Sequence, residues 1–210
     1  MENRNKHIND LSEIRSMMER ASKFISLSGL AGIMAGIFAI LGSAIAYWYL
    51  YVFLPSAVSP LLFNGLGIKY SSILFIFLLA VIIFILAFLS GVFFTTRNSR
   101  KKSLPLWDHI SKKVLVNLLI PLSTGSFFIM FLMLNELYLL IIPSSLIFYG
   151  LSLINAGHFT YSDIKYLGYI EILLGFAGMF FPSWGLLIWT IGFGIMHIIY
   201  GILMFYKYEK

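Results

Sequence analysis

The chain is 210 residues long, 60% apolar and only 11% charged, with a formal net charge of +6 and a mean hydropathy of +0.90. Soluble domains run at about 45–50% apolar and about 25% charged, so a water-soluble globule, a disordered tail and a collagen-like rod are excluded and the surface must face lipid. There is no cysteine, which removes disulfides, thiolate chemistry and Cys-ligated zinc or iron–sulfur centres.

Residues 8–25 read as an amphipathic helix. Leu11, Ile14, Met18, Ala21 and Ile25 recur at a 3–4 spacing, and Asp10 with Glu13 has the pattern of a capping box. Arg15, Arg20 and Lys23 lie among the apolar positions, as in a helix resting on an anionic inner leaflet. Residues 1–23 therefore form a cytoplasmic interfacial segment. Docking onto a cytosolic protein or a second copy is the alternative, as is simple continuation of the first span. This polar lead is too long and too mixed in charge for a secretory leader.

A helix needs about 20 mostly apolar residues to cross a bilayer. Six candidates follow, at about 24–50, 71–94, 114–134, 137–154, 166–181 and 185–205. The fold class is an all-α integral membrane protein: a six-span bundle over 24–210, arranged as three hairpins behind the amphipathic helix. In the first span Gly32 and Gly36 form a GxxxG pair beside a stripe of Ala31, Ala35, Ala39 and Ser43. Small stripes let backbones approach closely in lipid; the partner is another span or, in the sharper reading, a second copy. Loop 55–70, with Asn64, Gly65 and Gly67, is a surface connection. The second span is bulky, uncharged and lipid-facing. The loop 95–113 carries Arg97, Arg100, Lys101 and Lys102, then Leu104, Pro105 and Trp107, then Asp108, His109, Lys112 and Lys113. Trp beside basic residues suits a headgroup anchor.

The third span holds Pro121 followed by Ser123, Thr124 and Ser126, and the fourth holds Pro143 with Ser144 and Ser145. Hydroxyls commonly re-satisfy a proline kink. The fifth span contains Gly168, Gly175 and Gly178, and the sixth Gly192, Gly194 and Gly201. Spans one, five and six are thus expected to form the tight interior.

Basic residues fix the orientation, because Lys and Arg accumulate on the cytoplasmic side. With the N-terminus inside, residues 1–23, 95–113, 155–165 and 206–210 hold 14 of the 15 Lys and Arg. Both termini are expected in the cytoplasm. The Ile-, Asn-, Lys- and Tyr-rich wording suggests an AT-rich bacterial genome, hence a bacterial cytoplasmic membrane.

Ionisable groups inside lipid are costly and mark function. Only Glu171 and His197 lie well inside spans. At a rise of 1.5 Å per residue they sit roughly 7–8 Å and 12 Å from the inner end. Tyr200, Asn117, Asn155 and His158 fall near the same leaflet, so these six residues form a candidate polar pocket. Mutual satisfaction of Glu171 and His197 is the structural reading; an ion or ligand pocket and a proton relay are the functional ones. The four histidines, His7, His109, His158 and His197, lack metal-site spacing, and no metal or cofactor is expected. There is no HExxH, no GxSxG and no phosphate loop. Ser123 as a nucleophile would need a base, for which His197 is remote.

The leading expectation is a non-enzymatic anchoring, sensing or regulatory module facing the cytoplasm. Arg97, Arg100, Lys101, Lys102, Trp107, Arg15 and Arg20 would meet lipid headgroups or a cytosolic protein, and Gly32, Gly36, Ala35 and Ala39 would pack helices or a homodimer. Membrane lipids are partners and nucleic acid is not. The alternative is a small transporter or channel using Glu171 and His197; a lipid-modifying enzyme comes third.

Overall fold

The computed structural model describes residues 27–53, 70–103 and 108–210. All regular structure among them is helical. There are six principal helices, five of them long and apolar enough to cross a membrane. Helix α1 (Gly29–Tyr47) runs into a π-helical turn, Trp48–Phe53. It is followed by α2 (Tyr70–Lys101), α3 (His109–Leu134), α4 (Ile141–Ala156) and α5 (Asp163–Phe180). The last helix is α6 (Gly185–Trp189) joined to α7 (His197–Tyr208) through a π-helical segment, Thr190–Met196. Helix α5 is the one outside the apolar five; its 18 residues include Asp163, Lys165 and Glu171.

Two helices reach further than their apolar runs suggest. Helix α2 continues past Phe94 to Lys101, so Arg97, Arg100 and Lys101 lie on helix rather than in a loop. Cations in a last turn complement the helix dipole. That end is also tied down: the Asn98 amide donates to the Leu27 carbonyl at 3.3 Å, and Lys102 Nζ donates to the Tyr208 carbonyl at 3.1 Å. Ser103, at φ 52°, ends the helix in the left-handed region. Helix α3 starts at His109, capped by Asp108 in a reciprocal box with Ser111. The expected amphipathic helix with Arg15 and Arg20, the glycines of loop 55–70, and Leu104, Pro105 and Trp107 lie outside the described residues.

Glycines set the helix spacing. A Cβ on Gly150 would meet the Gly168 carbonyl at 2.5 Å, and one on Gly168 would meet the Gly150 carbonyl at 2.7 Å. Helices α4 and α5 therefore touch backbone to backbone. A second such seam joins α1 to the last helix: a Cβ on Gly36 would meet the Gly194 carbonyl at 2.6 Å, and one on Gly32 would come within 3.3 Å of Gly201. The Gly32–Gly36 face, with Ala39 buried beside it, is thus covered by the chain's own last helix. The tight interior includes α4 as well as α1, α5 and the last helix. Ala35 is half-buried on the same helix. Helices α2 and α3 flank this interior and present mostly apolar side chains outward.

A further tie spans almost the whole sequence. The Glu209 carboxylate accepts from Ser28 Oγ at 3.2 Å and from the Gly29 backbone N–H, capping α1. Beside it, Lys207 Nζ and the Tyr208 hydroxyl both donate to Asp163.

Two outcomes test this account. Gly150→Val should lower the unfolding midpoint sharply, because backbone stands where the new methyls must go. Gly91→Ala on α2, with nothing within 4 Å, should instead gain up to about 1 kcal/mol of helix propensity; equal effects in a denaturant titration would contradict the seam. At Asp108, slight burial pushes the carboxyl up, but hydrogen bonds from Ser111 outweigh it and hold it below the usual carboxylate value. A lowered folded value means stability is present above the unfolded value of about 3.9 and is lost as pH falls below it. Asp108→Asn, which caps without titrating, should flatten that part of the melting-temperature profile.

Candidate functional site

Glu171 lies on the small-residue stripe of α5. Gly168, Glu171, Gly175 and Gly178 recur at 3–4 spacing and are all buried. The glycine seam that draws α5 against α4 therefore carries the carboxylate inward, and its exposure is 0%. From the other side the π segment closes over it. A Cβ on Gly192 would stand 2.5 Å from Glu171 Oε2 and 2.7 Å from Leu146 Cδ2, so a glycine there is what leaves the carboxylate its space.

His197 opens α7 just after the π segment and is 6% exposed. Its Nδ1 lies 3.0 Å from the Gly192 carbonyl and its Nε2 lies 2.8 Å from the Tyr149 hydroxyl. A carbonyl oxygen only accepts, so Nδ1 must carry the hydrogen. In the neutral ring Nε2 then accepts from Tyr149. The Glu171 Oε1 atom is 3.4 Å from the same Nδ1. That is close enough for the carboxylate to feel the Nδ1–H dipole. It is not a hydrogen bond, because the hydrogen is engaged by Gly192; neither Glu171 oxygen has a hydrogen-bond partner. A buried polar atom without a partner is costly and rare. Tyr149, Phe193 and His197 stack into an aromatic wall, with centroids 4.9 Å apart for Tyr149–Phe193 and 5.9 Å for Phe193–His197.

Of the six expected pocket residues, Glu171 and His197 meet. Tyr200 packs into a separate apolar cluster around Leu153, Tyr161, Ile164, Leu167 and Met204. Asn117 is half-buried on α3 and donates to the Lys113 carbonyl at 2.8 Å. Asn155 is exposed near the end of α4, and His158, beyond that helix, faces Lys165 Nζ at 3.0 Å. These four share a depth with the pair but point elsewhere, since depth along a helix does not fix azimuth. Tyr149 enters the site instead. Its signal was its place three residues after Leu146 and four before Leu153, both buried on α4.

The proline-associated hydroxyls are spent locally. Ser123 and Thr124 both donate to the Ile120 carbonyl, at 3.0 and 2.8 Å, and Ser123 is exposed. Among the described residues no group of three or more His, Asp or Glu is placed to hold a metal ion. Comparison of the chain with protein-family models, with curated proteins and with solved structures finds no match.

Stability should follow the polar bookkeeping of the site. Tyr149→Phe removes the donor to His197 Nε2 and should cost about 1 kcal/mol. His197→Leu, which takes away the nitrogen 3.4 Å from Glu171 Oε1, should cost more than Glu171→Leu, which leaves both ring hydrogen bonds intact. The double Leu variant should be more stable than His197→Leu alone. Simple addition of the two losses in an unfolding titration would mean the pair is not coupled.

Proposed function

We propose that this chain is a six-span membrane transporter of a small ion, built from three hairpins. Its termini face the cytoplasm, and Glu171, His197 and Tyr149 form the intramembrane site. The carrying observation is the fully buried Glu171 carboxylate with no hydrogen-bond partner on either oxygen. For packing alone, an apolar residue of similar size would often serve as well or better. Intramembrane carboxylates instead mark ion pathways. The π segment supports the same reading, because π turns inside helices occur frequently at functional sites and can shift register.

The orientation rests on the distribution of Lys and Arg, 14 of 15 on one side. Arg97, Arg100, Lys101 and Lys102 then meet the inner headgroups. An anchoring or regulatory module would draw on residues 1–23 and Trp107, which lie outside the described residues, and on Arg97, Arg100, Lys101 and Lys102 at and just past the end of α2; the unpartnered Glu171 carboxylate favours the site within the bundle.

Currents recorded from reconstituted protein on a supported membrane test this. Concentration jumps of Na⁺, K⁺, Li⁺ and H⁺ should include at least one that moves charge through the unaltered chain and not through Glu171→Gln. Identical traces from both proteins for all four ions would overturn the transport reading.

A further inference from the structure

Resting on that reading, we propose that the ion is a proton, delivered to Glu171 through His197, and that its arrival displaces Gly192 and so moves the π segment.

Space and ligand chemistry exclude larger cargo. Glu171 and Leu146 are both 0% exposed, and the Gly192 backbone packs directly on the carboxylate. A metal cation needs several oxygen ligands around it. Among the described residues no second carboxylate joins Glu171 in a group that could hold a metal ion, and the Gly192 carbonyl and the Tyr149 hydroxyl are both engaged by His197. A proton needs no volume and one acceptor. Among the described residues the titratable groups that face Glu171 are His197 from α7 and, behind it, Tyr149 from α4. The π segment presents Gly192 and Phe193. Helix α1 meets the last helix through Gly32 and Gly36, which do not titrate.

Tyr149 passes its hydroxyl proton to His197 Nε2 and takes another from a hydronium ion, which is left as water, so the phenol is restored. The ring, now cationic, turns its Nδ1–H from the Gly192 carbonyl toward Glu171 Oε1, 3.4 Å away. The Nδ1–H bond then breaks, its electron pair stays on nitrogen, and the proton bonds to Oε1. One proton has moved from hydronium to the carboxylate, and the imidazole is left neutral with its hydrogen on Nε2.

That tautomer no longer suits Gly192. Nδ1, now a lone pair, would face a carbonyl oxygen 3.0 Å away, and two acceptors at that distance repel. Nδ1 can instead accept from the new Glu171 O–H. Gly192 must turn away, and the π segment changes register. Gly194, two residues on, packs its carbonyl against Gly36 of α1, so the movement reaches the α1 seam. The proton and the helix register are therefore one coupled variable.

Two measurements decide it. In the supported-membrane recording, pH jumps should give current without Na⁺ or K⁺, and His197→Ala should cut the proton-driven rate by about a hundredfold, as expected when a positioned transfer group is lost. Currents that depend on Glu171 but follow only a metal cation would overturn the proton while leaving transport standing; no Glu171-dependent current at all would overturn both. Infrared difference spectra should show the C=O stretch of a protonated carboxylic acid that titrates with pH, shifts on isotopic labelling of glutamate and is missing from Glu171→Gln, which separates it from the other five glutamates. Absence of such a band throughout the range where the protein stays folded would overturn the proposal.

Discussion

In lipid, helices gain little hydrophobic energy by touching one another, so the contact between helix backbones has to carry the assembly. Here that contact is made at two glycine seams, Gly150 on Gly168 and the Gly32–Gly36 face on Gly194 and Gly201. Without a side chain on either surface, each carbonyl lies against the next helix, and dispersion is gathered over whole turns rather than at side-chain tips. Helices α2 and α3 then pack around the edges, α2 through Ile83 against Gly42 and α3 through Gly125 against Phe148.

The site follows from the seams. Because Gly168 and Glu171 share one face of α5, the close approach that stabilises the α4–α5 pair also dehydrates the carboxylate. The opposing backbone is a π turn, and its Gly192 occupies the one position where the carboxylate can be accommodated without a clash. His197 links the two by bonding Gly192 with one nitrogen and Tyr149 with the other. The ring is held from α4 and from its own helix at once. Only the contact with Glu171 is left incomplete.

Much of this was legible in the amino-acid order, for physical reasons. Lipid imposes a length on every apolar run, so the helices announced themselves, although basic residues at the end of α2 disguised two further turns. An intramembrane charge is expensive wherever it faces, so Glu171 and His197 stood out. What was hidden depends on azimuth and partner. Asn117 and Tyr149 have similar claims on paper, yet one bonds its own helix and the other reaches His197. The GxxxG pattern of α1 named a packing face without naming what covers it. The π segment, Thr190–Met196, carries no distinctive wording.

The cap supplied by Glu209 to Gly29 joins residues 180 positions apart. Helix α1 is made before the helix that covers its glycine face and before the carboxylate that caps it. Until Gly194, Gly201 and Glu209 have been synthesised, something else must shelter that face and the first amides. A ribosome that stalls between α1 and Glu209 would therefore release a chain whose α1 is still unclaimed.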